Sequence, residues 1–598
     1  MYSPQGDLRD VPAAIRGAPG HVAADGSRPG RLGGLVFVGA PIGDDEWVRQ
    51  YMVDHFAALA APLTSALPHL SDSGRLQTAA QARTLLLRYC ANPQVGFWLR
   101  SVRPDLLADA AAAYDAAVAS CLQQVIHAHS SSDDRWDARW RRAALQATLP
   151  IRIGGLGLSS AAGLSYAAWT ASWAATWGGL RRMVPALASI DLATSPLPSV
   201  RSLVLTHSSL LARRGAVAEA FDAIDATAQA EAAAPRAPGH RPLAYHPTGL
   251  PLASSLPTLA GMDDTSCKTN TRAQRKFAQV VHLGNWVGLV EESAALGGWE
   301  GRREASRLIG VAQPLAGAWL LAIPSVAGFR IRSDLFAIAA QRRLGLPITM
   351  LAQSAPSYET LQYLLGDVAL GQGEHTYRHD RVVRAWVIAT RAVRGAAGTY
   401  TTTSAPAWSG LAVPDFVSEC AGQDAGHLVG EVKVYNPVLA AVAWQRRGAS
   451  RPFGATEAHL RSLILGELAT QAGAARAMPR CYASGPRKGT PRVAQYQAAL
   501  DQGHTVVPLI SEVWGGFAPE AVSYLRGLAQ ARSDRLDIEQ ESTTWTTRSF
   551  TSYYGQRLSV ALTMGVAHEI RRTATGAHQP EGGGALGGGA GRRRRGRG

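Results

Sequence analysis

Apolar and polar residues alternate through Leu428-Val429-Gly430-Glu431-Val432-Lys433-Val434-Tyr435, a pattern that suits a half-buried strand. Upstream, Val413-Pro414-Asp415-Phe416-Val417-Ser418-Glu419-Cys420 reads as a second strand, and residues 421–426 have the small, polar composition of a hairpin loop. Side chains alternate faces along a strand, so Glu431 and Lys433 point one way while Val432 and Val434 point into the core. If the two strands pair, Asp415 lies beside Glu431, and two carboxylates and an ammonium converge on one face. An ordinary hairpin with a Glu–Lys pair on its exposed face has the same spacing, so spacing alone leaves both readings open.

The convergent set has a definite chemistry. Two carboxylates can hold Mg²⁺ or Mn²⁺, hard cations that bind oxygen, and Mg²⁺ keeps several waters. Such a metal polarises a phosphate and acidifies water, and a nearby lysine orients that water or offsets developing charge. Metal-dependent phosphodiester hydrolysis by Asp415, Glu431 and Lys433, with the metal on Asp415 and Glu431, is the expectation.

At 598 residues the chain is too long for a single core. Apolar residues make up 46% and charged residues 18%, so most of it should fold, and abundant alanine favours helices. The net charge is +15, five of it in the terminal Arg592-Arg593-Arg594-Arg595-Gly596-Arg597-Gly598, and is compatible with a polyanionic partner. The five cysteines (Cys90, Cys121, Cys267, Cys420, Cys481) are scattered without a CxxC pair, which predicts reduced thiols in an intracellular protein. Residues 1–7 have neither basic start nor apolar run, so no signal peptide is expected. Residues 164–180, with Trp169, Trp173 and Trp177 four apart, are too short and polar for a membrane span and read as a buried helix.

Along the chain, residues 34–43 read as a buried strand leading into a turn, with Asp44 or Asp45 capping a helix that begins near Glu46. Further helices are predicted at 46–62, 74–90, 104–126 and 134–147. Gly154-Gly155-Leu156-Gly157-Leu158 is glycine-rich but carries no phosphate-loop signature. Residues 229–262 read as a linker. Lys268, Arg272, Arg275 and Lys276 form a basic cluster before a helix containing Phe277, Val280 and Val281; it suits a nucleic-acid backbone or a solvated helix face.

Several strings together resemble a known family. Pro414-Asp415 followed by Glu431-Val432-Lys433 resembles the PD-(D/E)xK signature of restriction-endonuclease-like nucleases. Tyr2-Ser3-Pro4, Phe37-Val38-Gly39-Ala40-Pro41-Ile42-Gly43 and Leu149-Pro150 look like the primer-grip-like strand and helical thumb of a non-LTR-type retroelement reverse transcriptase. Gly317-Ala318-Trp319-Leu320-Leu321-Ala322-Ile323-Pro324 and Arg343-Leu344-Gly345-Leu346-Pro347 resemble its connector. In that family the polymerase aspartates precede the point where this chain begins, and Gly261-Met262-Asp263-Asp264 lacks flanking apolar strands, so no reverse transcription is expected from this chain alone. The family's zinc knuckle falls at 366–380, where no cysteine stands; His375 and His379 do not make a four-ligand site, and no structural zinc is expected. Arg378-His379-Asp380-Arg381 resembles the opening of the family's first nuclease helix.

The resemblance implies a multidomain chain: the end of a palm and a thumb-like helical region at 1–150, a helical connector at 151–365, an α/β restriction-endonuclease-like domain at 374–574 in α-β-β-β-α-β order, and a disordered Gly/Arg tail at 575–598. Within the nuclease region it implies a helix near 379–394, strands at 399–403 and 504–510, and DNA contacts from Lys488, Arg492, Gln495 and Tyr496. Arg592, Arg593, Arg594 and Arg595 suit nonspecific nucleic-acid binding or a nuclear address. Glu512-Val513-Trp514-Gly515-Gly516-Phe517 reads as a structural turn. The expected partners are DNA and element RNA, with no membrane, in the nucleus. The alternative is a catalytically silent nucleic-acid-binding remnant of such an element.

Overall fold

The computed structural model describes residues 22–23, 32–67, 70–72, 77–128, 135–233, 256–262, 272–354, 375–394, 399–401, 415–418, 427–435, 502–544 and 547–575. They form a mostly helical body with two small sheets. In the first sheet, β1 (Val22–Ala23), β2 (Leu32–Phe37) and β3 (Ala40–Gly43) run antiparallel in that order. The expected buried strand at 34–43 is therefore two strands joined at Val38-Gly39, where both residues take positive φ. It is also not buried along its length. Leu35 is covered, and a Cβ at Gly34 would lie 2.1 Å from the Trp47 ring, but cover ends there: Phe37 is 61% and Val38 78% exposed.

Helix α1 (Asp45–Ser65) starts where Asp44 accepts a hydrogen bond from the Trp47 amide at 2.9 Å, and Asp45 and Glu46 favour the positive end of its dipole. Asp44→Ala should weaken this terminus by about 1 kcal/mol, read as faster amide exchange at Trp47 and Val48. After α2 (Ala79–Leu86), α3 (Pro104–Val125) opens with Pro104, whose missing N–H is no loss in a first turn. Its buried Leu107, Ala111, Tyr114, Val118 and Cys121 recur at helical spacing. Arg103 ties α3 to α1 through Asp105 at 2.7 Å and Asp45 at 2.8 Å.

The glycine run after α4 (Trp136–Ala147) is closed by protein. Gln146 donates to Gly154 O, Arg343 to Gly155 O and Arg88 to Leu156 O. A Cβ at Gly155 would sit 1.9 Å from Leu149 O, so glycine is required there by the close approach of two backbone segments. In α5 (Ala161–Met183), Trp169 and Trp177 are buried and Trp173 half-buried. Among the described residues no helix is long and apolar enough to cross a membrane.

Helix α6 (Pro198–Ala233) runs into the expected linker, so residues 229–233 are helical, as their alanine content favours. At the other end of that stretch Leu256 and Met262 are buried; residues 234–255 lie outside the described residues. Helix α7 (Ala273–Ala295) buries Phe277, Val280 and Val281 and leaves Arg272 and Arg275 exposed.

Beyond α8 (Gly298–Val311) and α9 (Ser333–Arg343) comes α10 (His375–Arg394), then the second sheet: β4 (Thr399–Thr401), β5 (Phe416–Ser418), β6 (Leu428–Tyr435) and β7 (Thr505–Glu512) in that order. The first three strands are antiparallel; β7 is parallel to β6 from Leu428↔Thr505 to Tyr435↔Glu512. The helix expected at 457–477 falls outside the described residues. After β7, Gly515 takes φ +100 in a buried turn that stacks Trp514 beneath the Arg342 guanidinium at 3.9 Å.

Helices α11 (Pro519–Ala531) and α12 (Phe550–Thr575) complete the body. Helix α12 packs on both α9 and α10. Ser559 accepts from the Trp319 amide at 3.0 Å, Arg571 meets Asp334 at 3.1 Å and Glu569 meets Arg378 at 2.7 Å. One apolar cluster joins residues between Val48 and Ala168 to residues between Trp319 and Ala574, and so draws on both sides of residues 150 and 374; two further clusters hold most of the buried apolar residues of α5–α7.

Candidate active site

The register of β5 and β6 builds the site. Phe416 pairs with Gly430, and the Asp415 amide donates to Gly430 O at 3.1 Å, which sets Asp415 opposite Glu431. Glycine at 430 is what lets the strands approach, since a Cβ there would lie 2.3 Å from the Phe416 ring. Strand β6 extends past Asp415, so the backbone of Val432 faces side chains: its N–H donates to Asp415 Oδ2 at 2.6 Å, and its carbonyl accepts from His379 Nε2 at 3.2 Å. Glu431 and Lys433 share a face, as strand alternation requires, and are joined as an ion pair between Oε1 and Nζ. Glu431 is 2% exposed, whereas the Lys433 side chain keeps 36% of its surface.

His379, on the first turns of α10, is the residue that sequence reasoning did not assign to the site. Its Nε2 lies 3.1 Å from Asp415 Oδ1 and its Nδ1 3.4 Å from Asp380 Oδ1. The hydrogen bond to Asp415 raises the imidazole pKa above its ordinary value against an opposing effect of burial. The sequence signal was present in Arg378-His379-Asp380-Arg381, read only as a helix opening. That turn is held from behind: Arg378 pairs with Glu569 on α12, and Tyr377 stacks on His568 with ring centroids 4.4 Å apart.

The donors here are carboxylate oxygens on adjacent strands, a set that suits Mg²⁺ or Mn²⁺, which are commonly held by one or two carboxylates together with waters and a phosphate. Among the described residues no three His, Cys, Asp or Glu side chains gather into a cage for an ion, so the cation would have to complete its shell with backbone, water or phosphate donors as well. Of the remaining predicted residues, Lys488, Arg492, Gln495, Tyr496 and Arg592 to Arg595 lie outside the described residues, as do Asp263, Asp264 and most of the stretch compared with a zinc knuckle.

Comparison with protein-family models, with curated proteins and with solved structures finds no match for this chain.

Proposed function

We propose that this chain is a retroelement-derived protein whose second sheet belongs to a restriction-endonuclease-like fold and hydrolyses DNA phosphodiesters in a metal-dependent nicking reaction. The observation that carries the reading is the strand register that sets Asp415 opposite Glu431, with Lys433 two residues on. A helix, three antiparallel strands and a parallel fourth are in keeping with the order such a fold requires.

Asp415 and Glu431 would hold Mg²⁺ or Mn²⁺, which when bound supplies charge at the phosphate and an acidified water. The protein's own share is distinct. The ammonium of half-buried Lys433 receives the scissile phosphate and offsets negative charge as it develops. Buried Glu431 fixes that ammonium, and the Val432 amide fixes the Asp415 carboxylate, so neither has to reorganise when DNA arrives.

A catalytically silent nucleic-acid-binding protein is the second reading. It is favoured by one observation: both carboxylates already have partners within the protein, in Lys433, His379 and the Val432 amide.

The test is nicking of supercoiled plasmid by the full chain, since the apolar cluster shared across residue 374 gives no reason to expect the C-terminal part to fold alone. Nicking that requires Mg²⁺ or Mn²⁺ and falls about 100-fold or more in Lys433→Ala supports the nuclease. A folded chain that binds DNA in a salt-sensitive way but never nicks it establishes the silent reading.

A further inference from the structure

We propose that His379 is a nitrogen ligand of the cation held by Asp415, and that it turns the site's preference from Mg²⁺ towards Mn²⁺. The proposal rests on the metal site read above and extends it to a residue outside the Asp-Glu-Lys set.

The argument is one of spacing. In an octahedral shell with metal–donor distances of about 2.1 Å, neighbouring donors stand about 3.0 Å apart. His379 Nε2 lies 3.1 Å from Asp415 Oδ1 and 3.2 Å from the main-chain oxygen of Val432. Two oxygens, one from a side chain and one from the backbone, thus each stand from His379 Nε2 at the separation of adjacent ligands. Without a metal, a proton on Nε2 fills the gap between them; with a metal, the neutral ring offers its lone pair in the same direction.

The outer surroundings of the ring fit the role. A ligating histidine normally directs its second nitrogen to a carboxylate or carbonyl, which fixes the tautomer. His379 Nδ1 faces Asp380 Oδ1 at 3.4 Å, long for a hydrogen bond but on the correct side of the ring. The helix turn itself cannot drift freely, because Arg378 is buried against Glu569 and Tyr377 is stacked on His568. The ring is therefore positioned before any ligand arrives.

The metal preference follows from ligand chemistry. Mg²⁺ takes oxygen ligands and tolerates little departure from octahedral geometry. Imidazole suits first-row transition metals better than hard Mg²⁺, and Mn²⁺ is the member of that row that shares the preference of Mg²⁺ for carboxylate and carbonyl oxygen. A set of one imidazole, one main-chain carbonyl and the Asp415 carboxylate is a mixed shell of the second kind.

The experiment uses the full chain with Mn²⁺ as the probe. Binding is measured from the free-Mn²⁺ electron paramagnetic resonance signal, with Mg²⁺ as competitor, and ligation from ¹⁴N modulation of the bound-ion echo. Expected for the unaltered chain are ¹⁴N modulation from one imidazole and displacement of Mn²⁺ only by a large excess of Mg²⁺. In His379→Ala, Mn²⁺ affinity should fall about tenfold or more, the ¹⁴N signal should vanish, and Mg²⁺ affinity should change less. Bound Mn²⁺ without ¹⁴N modulation in the unaltered chain overturns the histidine ligand while leaving the carboxylate site standing, and needs no variant to fold. Equal losses of Mn²⁺ and Mg²⁺ affinity in His379→Ala overturn the selectivity. A folded chain that binds no Mn²⁺ overturns this inference and the metal-dependent nuclease together.

Discussion

Asp415→Asn should leave the chain folded and lower nicking by about 1,000-fold. The substitution keeps the size of the side chain and keeps an oxygen able to accept from the Val432 amide, the contact that ties the end of β5 to β6 at 2.6 Å. What it removes is the negative charge and the second oxygen, Oδ1, which faces His379 Nε2 at 3.1 Å. A bound metal is worth several kcal/mol of charge stabilisation in the transition state, and each 1.36 kcal/mol is tenfold in rate, so losing about 4 kcal/mol gives the stated factor. Lys433→Ala should lose less, because it deletes one electrostatic contribution and leaves both carboxylates in place. Single-turnover nicking beside a thermal melt separates the two causes of inactivity. A melt close to that of the unaltered chain with nicking still within tenfold would remove Asp415 from the chemistry and leave it a strand-capping residue only.

How much of this could be read in the sequence depended on how far apart the partners are. The α1 cap at Asp44, the α3 start at Pro104 and the alternation of β6 are local patterns, and each predicts the element found there. The pairing of Asp415 with Glu431 is nearly local: a short hairpin link and a fixed period of two leave little choice of register. Arg378-His379-Asp380-Arg381 marks a helix opening, but the place of His379 beside Asp415 was not legible, for the opposite reason. Its contact with the Val432 carbonyl spans 53 residues and depends on where a helix crosses a sheet, which periodicity does not specify. The apolar stretch at 34–43, read as one buried strand, misled in another way. An apolar run identifies a strand, but it does not say how much of it another element will cover, and Phe37 and Val38 are left exposed. The linker reading failed at its edges because proline and serine at 248–257 dominate the composition while the preceding alanine run continues α6. That α12 packs against elements on both sides of residue 374 is a long-range fact of the same kind as the His379 contact, which the order of motifs does not specify.

The contact that locks α12 to the site helix supplies the largest expected effect on stability. Arg378 and Glu569 are separated by 191 residues, lie 2.7 Å apart, and each side chain is only 4% exposed. Arg378→Ala would leave a buried carboxylate without its cation, and at pH 8 should lower the unfolding free energy by about 3–5 kcal/mol. Because Arg378 directly precedes His379, the same variant should also loosen the site. The pH dependence tests the electrostatics independently. Burial pushes the Glu569 carboxyl up to about 7, against the opposing pull of Arg378 and Arg342. A carboxyl with a raised folded pKa holds its proton more tightly in the native state than in the unfolded chain, where it titrates near the usual value of about 4.3. Its contribution is therefore complete below that value and is lost as pH rises through about 7. Urea midpoints measured between pH 5 and pH 8 should fall more steeply for the unaltered chain than for Glu569→Gln, whose amide does not titrate. Parallel curves would mean that the carboxylate keeps its charge throughout this range, held by Arg378. In that case the pair stabilises α10 as a permanent ion pair, and acid rather than base would release the helix that carries His379.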